Sequence, residues 1–169
     1  MNCYSLSMLR NILNTVNIDM VSNRFPPNNN TFLVINNACK VWFKDGYAPK
    51  ELEKYVIYRF DMGLSVDNIS KTMQVTNAKV SRSLNLFVKN VRWVLRDSIA
   101  SGVYKRLVSE FPEILYMPKV CKALHSFNIL DTYDMAFCDF DAILKSKRFS
   151  SKDKSKLKEI RSICERKYN

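Results

Sequence analysis

Apolar residues recur every three or four positions along most of this chain, the spacing of amphipathic helices. From Ser5 to Met20, Leu6, Leu9, Ile12, Leu13 and Val16 predict a first helix. The Pro- and Asn-rich run Asn23–Asn30 predicts a loop. Thr31–Ile35 (TFLVI) is rich in β-branched residues and reads as a short strand, paired with another subunit, and Asn37–Phe43 as a short helix. A helix beginning at Pro49 and reaching Met62 buries Leu52, Tyr55, Val56 and Phe60, and Gly63 ends it. After Phe111-Pro112 the pattern predicts helices at Met117–Phe127, Tyr133–Lys145 and Ser151–Tyr168. Ser150 with Asp153 forms a capping box for the last, and Leu157, Ile160 and Ile163 or Cys164 form its seam. The expected fold is mostly α. It has a helix-turn-helix core, a flanking N-terminal helix and short strand, and a C-terminal helical region. The expected boundaries are residues 1–45, a possible dimerisation segment, 46–105 and 106–169, the last ending in a basic tail.

The stretch Gly63–Leu84 carries the most information. Ser65 is a good N-cap for a helix that buries Ile69 and Met73 one turn apart. A turn follows at Gln74-Val75-Thr76, with Val75 placed to plug the space between two helices. Thr76 or Asn77 caps the second helix, which buries Val80 and Leu84. Helix-turn-helices often place a small residue mid-way along the first helix, and Ser70 serves. They also favour Gly at the turn, where Gln74 stands at a cost of about 1 kcal/mol if the turn is left-handed. Such a pair sets its second helix in the major groove of DNA.

The second helix extends beyond the turn motif. Val80, Leu84, Phe87, Val88, Val91, Val94 and Leu95 continue one apolar stripe to about Ser98. Opposite that stripe lie residues able to read bases or grip phosphates: Thr76, Asn77, Lys79, Ser81, Arg82, Ser83, Asn85 and Lys89. Arg82, Lys89 and Arg96 align at seven-residue intervals when each residue turns about 100°. The first two or three turns can enter a groove. Arg82 is therefore expected at a base or adjacent phosphate, Lys89 at a phosphate, and Arg96 in solvent. Trp93 points away from the stripe and is expected to mark a second packing surface.

The residues Gly63, Ser65, Ile69-Ser70, Met73-Gln74-Val75, Asn77 and Ser81-Arg82-Ser83-Leu84 resemble the helix-turn-helix of PapB-type adhesin (fimbrial) transcription regulators of enteric bacteria. That family's pattern is Gly, Ser two later, an apolar-Cys pair, aromatic-Gln-Met, Asn, and a closing Ser-x-x-Leu. The alignment has no gap, and the Gln at the turn is part of it. KorA-type plasmid repressors and region 4 of sigma factors are similar more distantly. The resemblance implies a DNA-binding regulator that oligomerises on A/T-rich sites, and it covers this segment alone.

Charge changes the picture more by its placement than by its total of +11. Residues 1–45 carry 4 basic and 2 acidic groups, net +2, and residues 46–105 carry 10 and 5, net +5. Residues 106–144 carry 3 and 6, net −3, and residues 145–169 carry 10 and 3, net +7. Two basic regions flanking an acidic one suit two contacts with a nucleic-acid backbone. No apolar run approaches membrane-spanning length and no signal peptide is evident, so a soluble, cytoplasmic protein without membrane contact is expected; the resemblance to PapB-type regulators implies a bacterial, nucleoid-associated one.

Five scattered Cys and a single His, His125, predict neither a zinc site nor a disulfide framework, and the thiols are expected mostly buried. Asp131, Asp134, Asp139 and Asp141 lack metal-loop spacing and fit helix caps or solvated faces better. The short C-terminal helices resemble a helix-hairpin-helix nucleic-acid module, without the Gly-containing hairpin such modules use. His125 near Cys121 lacks an orienting partner and an oxyanion site, so no catalytic residue, metal or cofactor is expected. The expected partners are double-stranded DNA and a second copy of the chain in a homodimer or higher oligomer. The alternative is a protein-interaction adaptor docking on RNA polymerase or another regulator through Leu86 and Trp93.

Overall fold

A computed structural model describes residues 4–19, 24–99 and 105–169. Met20 and Asn23, the expected end of the first helix and start of the loop, lie outside the described residues, as does Cys3. Ten α-helices are present among the described residues and no strand is. The chain divides into two compact units, Met1–Arg96 and Asp97–Asn169. The first takes in both the N-terminal segment and the two helices around Gln74. Among the described residues, no helix is long and apolar enough to cross a membrane.

Unit 1 begins with α1 (Leu6–Asp19), which buries Met8, Leu9, Ile12, Leu13 and Val16. The Ser5 hydroxyl accepts from the Met8 amide at 3.1 Å and caps it. The segment Thr31–Ile35 is not a strand: it lies in α2 (Asn29–Cys39). Asn28 caps α2 by accepting from the Thr31 amide at 3.0 Å. Ile35, Ala38, Cys39 and Trp42 then fall on one buried face. A helical spacing of core residues outweighs the β-propensity of TFLVI here. The expected separate helix at Asn37–Phe43 is the end of α2 and a wider π-helical turn, Lys40–Lys44.

The helix expected from Pro49 starts three residues later, as α3 (Leu52–Val56), continued by a π-helical turn at Ile57–Asp61. Pro49 instead closes a turn in which its carbonyl accepts from the Leu52 amide at 3.0 Å. Gly63, at φ +70°, ends the segment. Leu52, Tyr55, Val56 and Phe60 are all buried, and Phe87 stands at the centre of the unit. Its ring meets Trp42 edge-on at 5.8 Å, Phe43 stacked at 5.9 Å and Phe60 tilted at 6.0 Å.

Unit 2 contains α6 (Leu107–Glu110), a 3₁₀ turn at Pro112–Tyr116, α7 (Pro118–Ser126), α8 (Thr132–Phe137), α9 (Phe140–Ser146) and α10 (Ser151–Tyr168). The helix expected over Tyr133–Lys145 is broken at Cys138-Asp139. Asp139 starts a new helix by accepting from the Ala142 amide at 3.1 Å. Arg161 of α10 donates to the Met135 and Cys138 carbonyls at 2.9 Å each, satisfying groups that a helix end leaves unpaired. Asp131 and Asp134 form a capping box on α8, as Ser150 and Asp153 do on α10. Three of the four acids at 131–141 are therefore caps. Cys39 and Cys164 are buried, whereas Cys121 and Cys138 are half-buried. Burial pushes the Cys164 thiol up to about 11 and raises Cys39 further.

Candidate functional site

Local sequence positions the pair α4 (Val66–Met73) and α5 (Asn77–Ile99). The Ser65 hydroxyl accepts from the Asn68 amide at 3.2 Å and opens α4. Gln74 takes the left-handed conformation, φ 54° and ψ 44°, and closes it. In that turn the Val75 amide donates to the Ser70 carbonyl at 3.0 Å. Thr76, rather than Asn77, caps α5, its hydroxyl accepting from the Lys79 amide at 3.2 Å. Ile69 and Ser70 are buried, while Met73, expected in the core, and Val75 are half-buried.

The eight residues singled out on α5 divide by what already holds them. Thr76 is engaged as the cap. Asn77 is exposed, yet its Oδ1 accepts from the Ser70 hydroxyl of α4, tying the two helices together. Lys79 forms an ion pair with Glu51 at 3.2 Å, just before α3. A hydrogen bond from Lys79 helps hold the Glu51 carboxyl below its ordinary value, after a backbone hydrogen bond that lowers it more. Ser81 and Ser83 are half-buried at the flanks of the apolar stripe. Arg82 and Lys89 are exposed, and neither has an ion pair or hydrogen bond among the described residues.

Asn85 and Lys89 turn toward a cleft of about 530 Å³ whose far wall is formed by Thr15 and Asp19 of α1. Arg92 and Trp93 line the same cleft. Sequence alone misses Arg92 because its partner, Asp19, at 3.1 Å, lies 73 positions earlier. Its place next to the apolar stripe is the available signal. Leu86 and Trp93 are 45% and 42% exposed, so the outer face of α5 carries two large apolar groups among its cations. Trp93 is not part of a core among the described residues; the Arg96 guanidinium sits over its ring at 5.4 Å.

Chemically, this face offers unpaired cations, hydroxyls, an amide and an exposed indole. Among the described residues, no group of three or more His, Cys, Asp or Glu side chains is placed to hold a metal ion. Comparison with protein-family models, with curated proteins and with solved structures gives no match to the chain.

Proposed function

We propose that this chain is a sequence-specific regulator of transcription that binds double-stranded DNA, with the first turns of α5 in the major groove. The observation that carries the reading is the exposed, unpaired Arg82 on the second turn of a helix entered through a left-handed turn. An unpaired guanidinium at that position loses no ion pair when it moves onto a guanine edge or a phosphate. Lys79 takes part by exchanging Glu51 for a phosphate. Thr76 and Asn77 brace the turn, Ser81, Ser83 and Asn85 flank the contact, and Lys89 grips the backbone about two turns beyond Arg82. A homodimer would place two such helices on half-sites about one helical turn apart.

A second reading is favoured by the exposure of Leu86 and Trp93: an adaptor that docks on RNA polymerase or another regulator through the outer face of α5. The test is selection from a random-sequence duplex pool at two salt concentrations. Enrichment of a palindromic or repeated motif at both salts supports the regulator, and half-site spacing reports its symmetry. Binding at low salt, lost at high salt and without a motif, rejects it and leaves a non-specific electrostatic grip.

A further inference from the structure

The cleft on unit 1 has a composition that a groove-facing helix does not require. Across from Thr15 and Asp19 stand Lys89, Arg92, Trp93 and Arg96. Three cations face one carboxylate, which leaves a surplus of two positive charges. Asp19 occupies one terminal nitrogen of Arg92 at 3.1 Å, while the Arg92 Nε is buried and has no hydrogen-bond partner among the described residues. Lys89 is without an ion pair there, and Arg96 is held by the Trp93 ring rather than by an acid. Several separate N–H donors converging on a concave site suit the oxygens of a phosphate group. The indole beside them, 42% exposed, offers a flat surface on which a ring can stack. A volume of about 530 Å³ is suited to a ligand of small-molecule size.

We propose that this cleft binds one nucleotide unit, its phosphate held by Lys89, Arg92 and Arg96 and its base laid against Trp93. The unit is supplied either by a free nucleotide or by a nucleic-acid strand. The cleft shares Asn85 and Lys89 with the duplex reading, whereas Trp93 and Arg96 lie beyond the turns of α5 assigned to the groove and belong to this inference alone.

The two tryptophans make the test direct. Trp42 is fully buried, so a ligand-dependent change in emission reports Trp93. The full-length protein is titrated with thymidine and adenosine monophosphates, with inorganic phosphate as competitor, and separately with a single-stranded thymidine oligonucleotide. Saturable quenching by a mononucleotide, relieved by phosphate, is expected if free nucleotide is the source. Quenching by the oligonucleotide alone assigns the site to a strand. In either case Arg96→Gln weakens binding about tenfold, the scale of one charge-assisted contact at a half-open site. Trp93→Phe removes the optical signal while calorimetry still detects binding, and helical circular dichroism checks the fold of both variants. The proposal is overturned if neither probe quenches. It is also overturned if well-folded Arg96→Gln binds both probes as tightly as the parent. Duplex motif selection with Arg96→Gln separates failure here from failure of the duplex reading.

Discussion

Two long basic helices, α5 in unit 1 and α10 in unit 2, look alike in sequence and use their cations differently. On α10, Lys156 lies between Glu113 at 3.6 Å and Glu159 at 2.8 Å, and Lys167 pairs with Glu110. Arg161 pairs with Glu165 at 2.8 Å and closes the carbonyls where α8 ends. These cations are engaged by partners within unit 2. On α5, Lys79 and Arg92 are paired, but Arg82 and Lys89 have no ion pair or hydrogen bond among the described residues, and Arg96 leans on Trp93. The +7 of residues 145–169 exceeds the +5 around α5, yet part of it is internal mortar. Local net charge is therefore a poor guide to a contact surface until its partners are known.

The largest expected effect separates the cores of the two units. Phe87→Ala removes the ring at the centre of the aromatic cluster and should destabilise unit 1 by about 3–5 kcal/mol. Hydrogen exchange should show lost protection in α1 to α5 and little change in α10.

Arg161→Ala tests the structural use of charge on α10. It strips two carbonyls and a carboxylate of their donor, at about 2–3 kcal/mol. The loss should appear in denaturant unfolding and fall on α8 and α9. A change below about 0.5 kcal/mol, the size of an ordinary surface substitution, would mean the bridging contacts are incidental.

On the α5 side, Arg82→Ala should weaken duplex binding by about 1–3 kcal/mol and relax preference at one base position. Lys158→Ala, an exposed charge on α10, should change affinity less than about twofold at physiological salt because it is screened. Equal losses from both would erase the distinction drawn between the helices. Uniform weakening of Arg82→Ala on every sequence would place that side chain on the backbone instead of a base.

The smallest effect is a pH dependence. Burial holds the Glu113 carboxyl above its ordinary value, against the opposing pull of Lys156. The folded protein therefore keeps this proton more tightly than the unfolded chain does. The contribution of Glu113 to stability is greatest below the ordinary carboxylate value and declines as pH rises through it toward the raised one. Glu113→Gln should remove that decline and raise neutral-pH stability by less than about 1 kcal/mol. Thermal melts of parent and variant that stay parallel across acid and neutral pH would contradict the assignment.

Much of α4, the turn and α5 is legible in the sequence because its signals are local. Ser65 and Thr76 cap within three residues, and the stripe from Val80 to Leu95 repeats at helical spacing. The turn tolerates Gln74 where Gly is the natural expectation, with φ 54° as evidence of its handedness. Legibility fails where the deciding contact is distant or competes with propensity. TFLVI reads as a strand because β-branching is visible in sequence and the burial of Ile35 with Trp42 is not. The break at Cys138-Asp139 has a local clue, an Asp three residues before Ala142, but Arg161 lies 23 positions beyond Cys138. The engagement of Lys79 by Glu51 and the cleft between α1 and α5 arise from tertiary proximity, which periodicity does not report.

The most direct test of DNA contact through α5 is a residue-resolved titration of the isotope-labelled protein with a selected duplex, read as amide chemical-shift changes. The largest changes should cluster from Gln74 to Lys89, while α10 amides stay nearly still. Changes concentrated on Ser151–Tyr168 with α5 unmoved would contradict that contact, and would assign DNA binding to the helix whose cations are paired within unit 2.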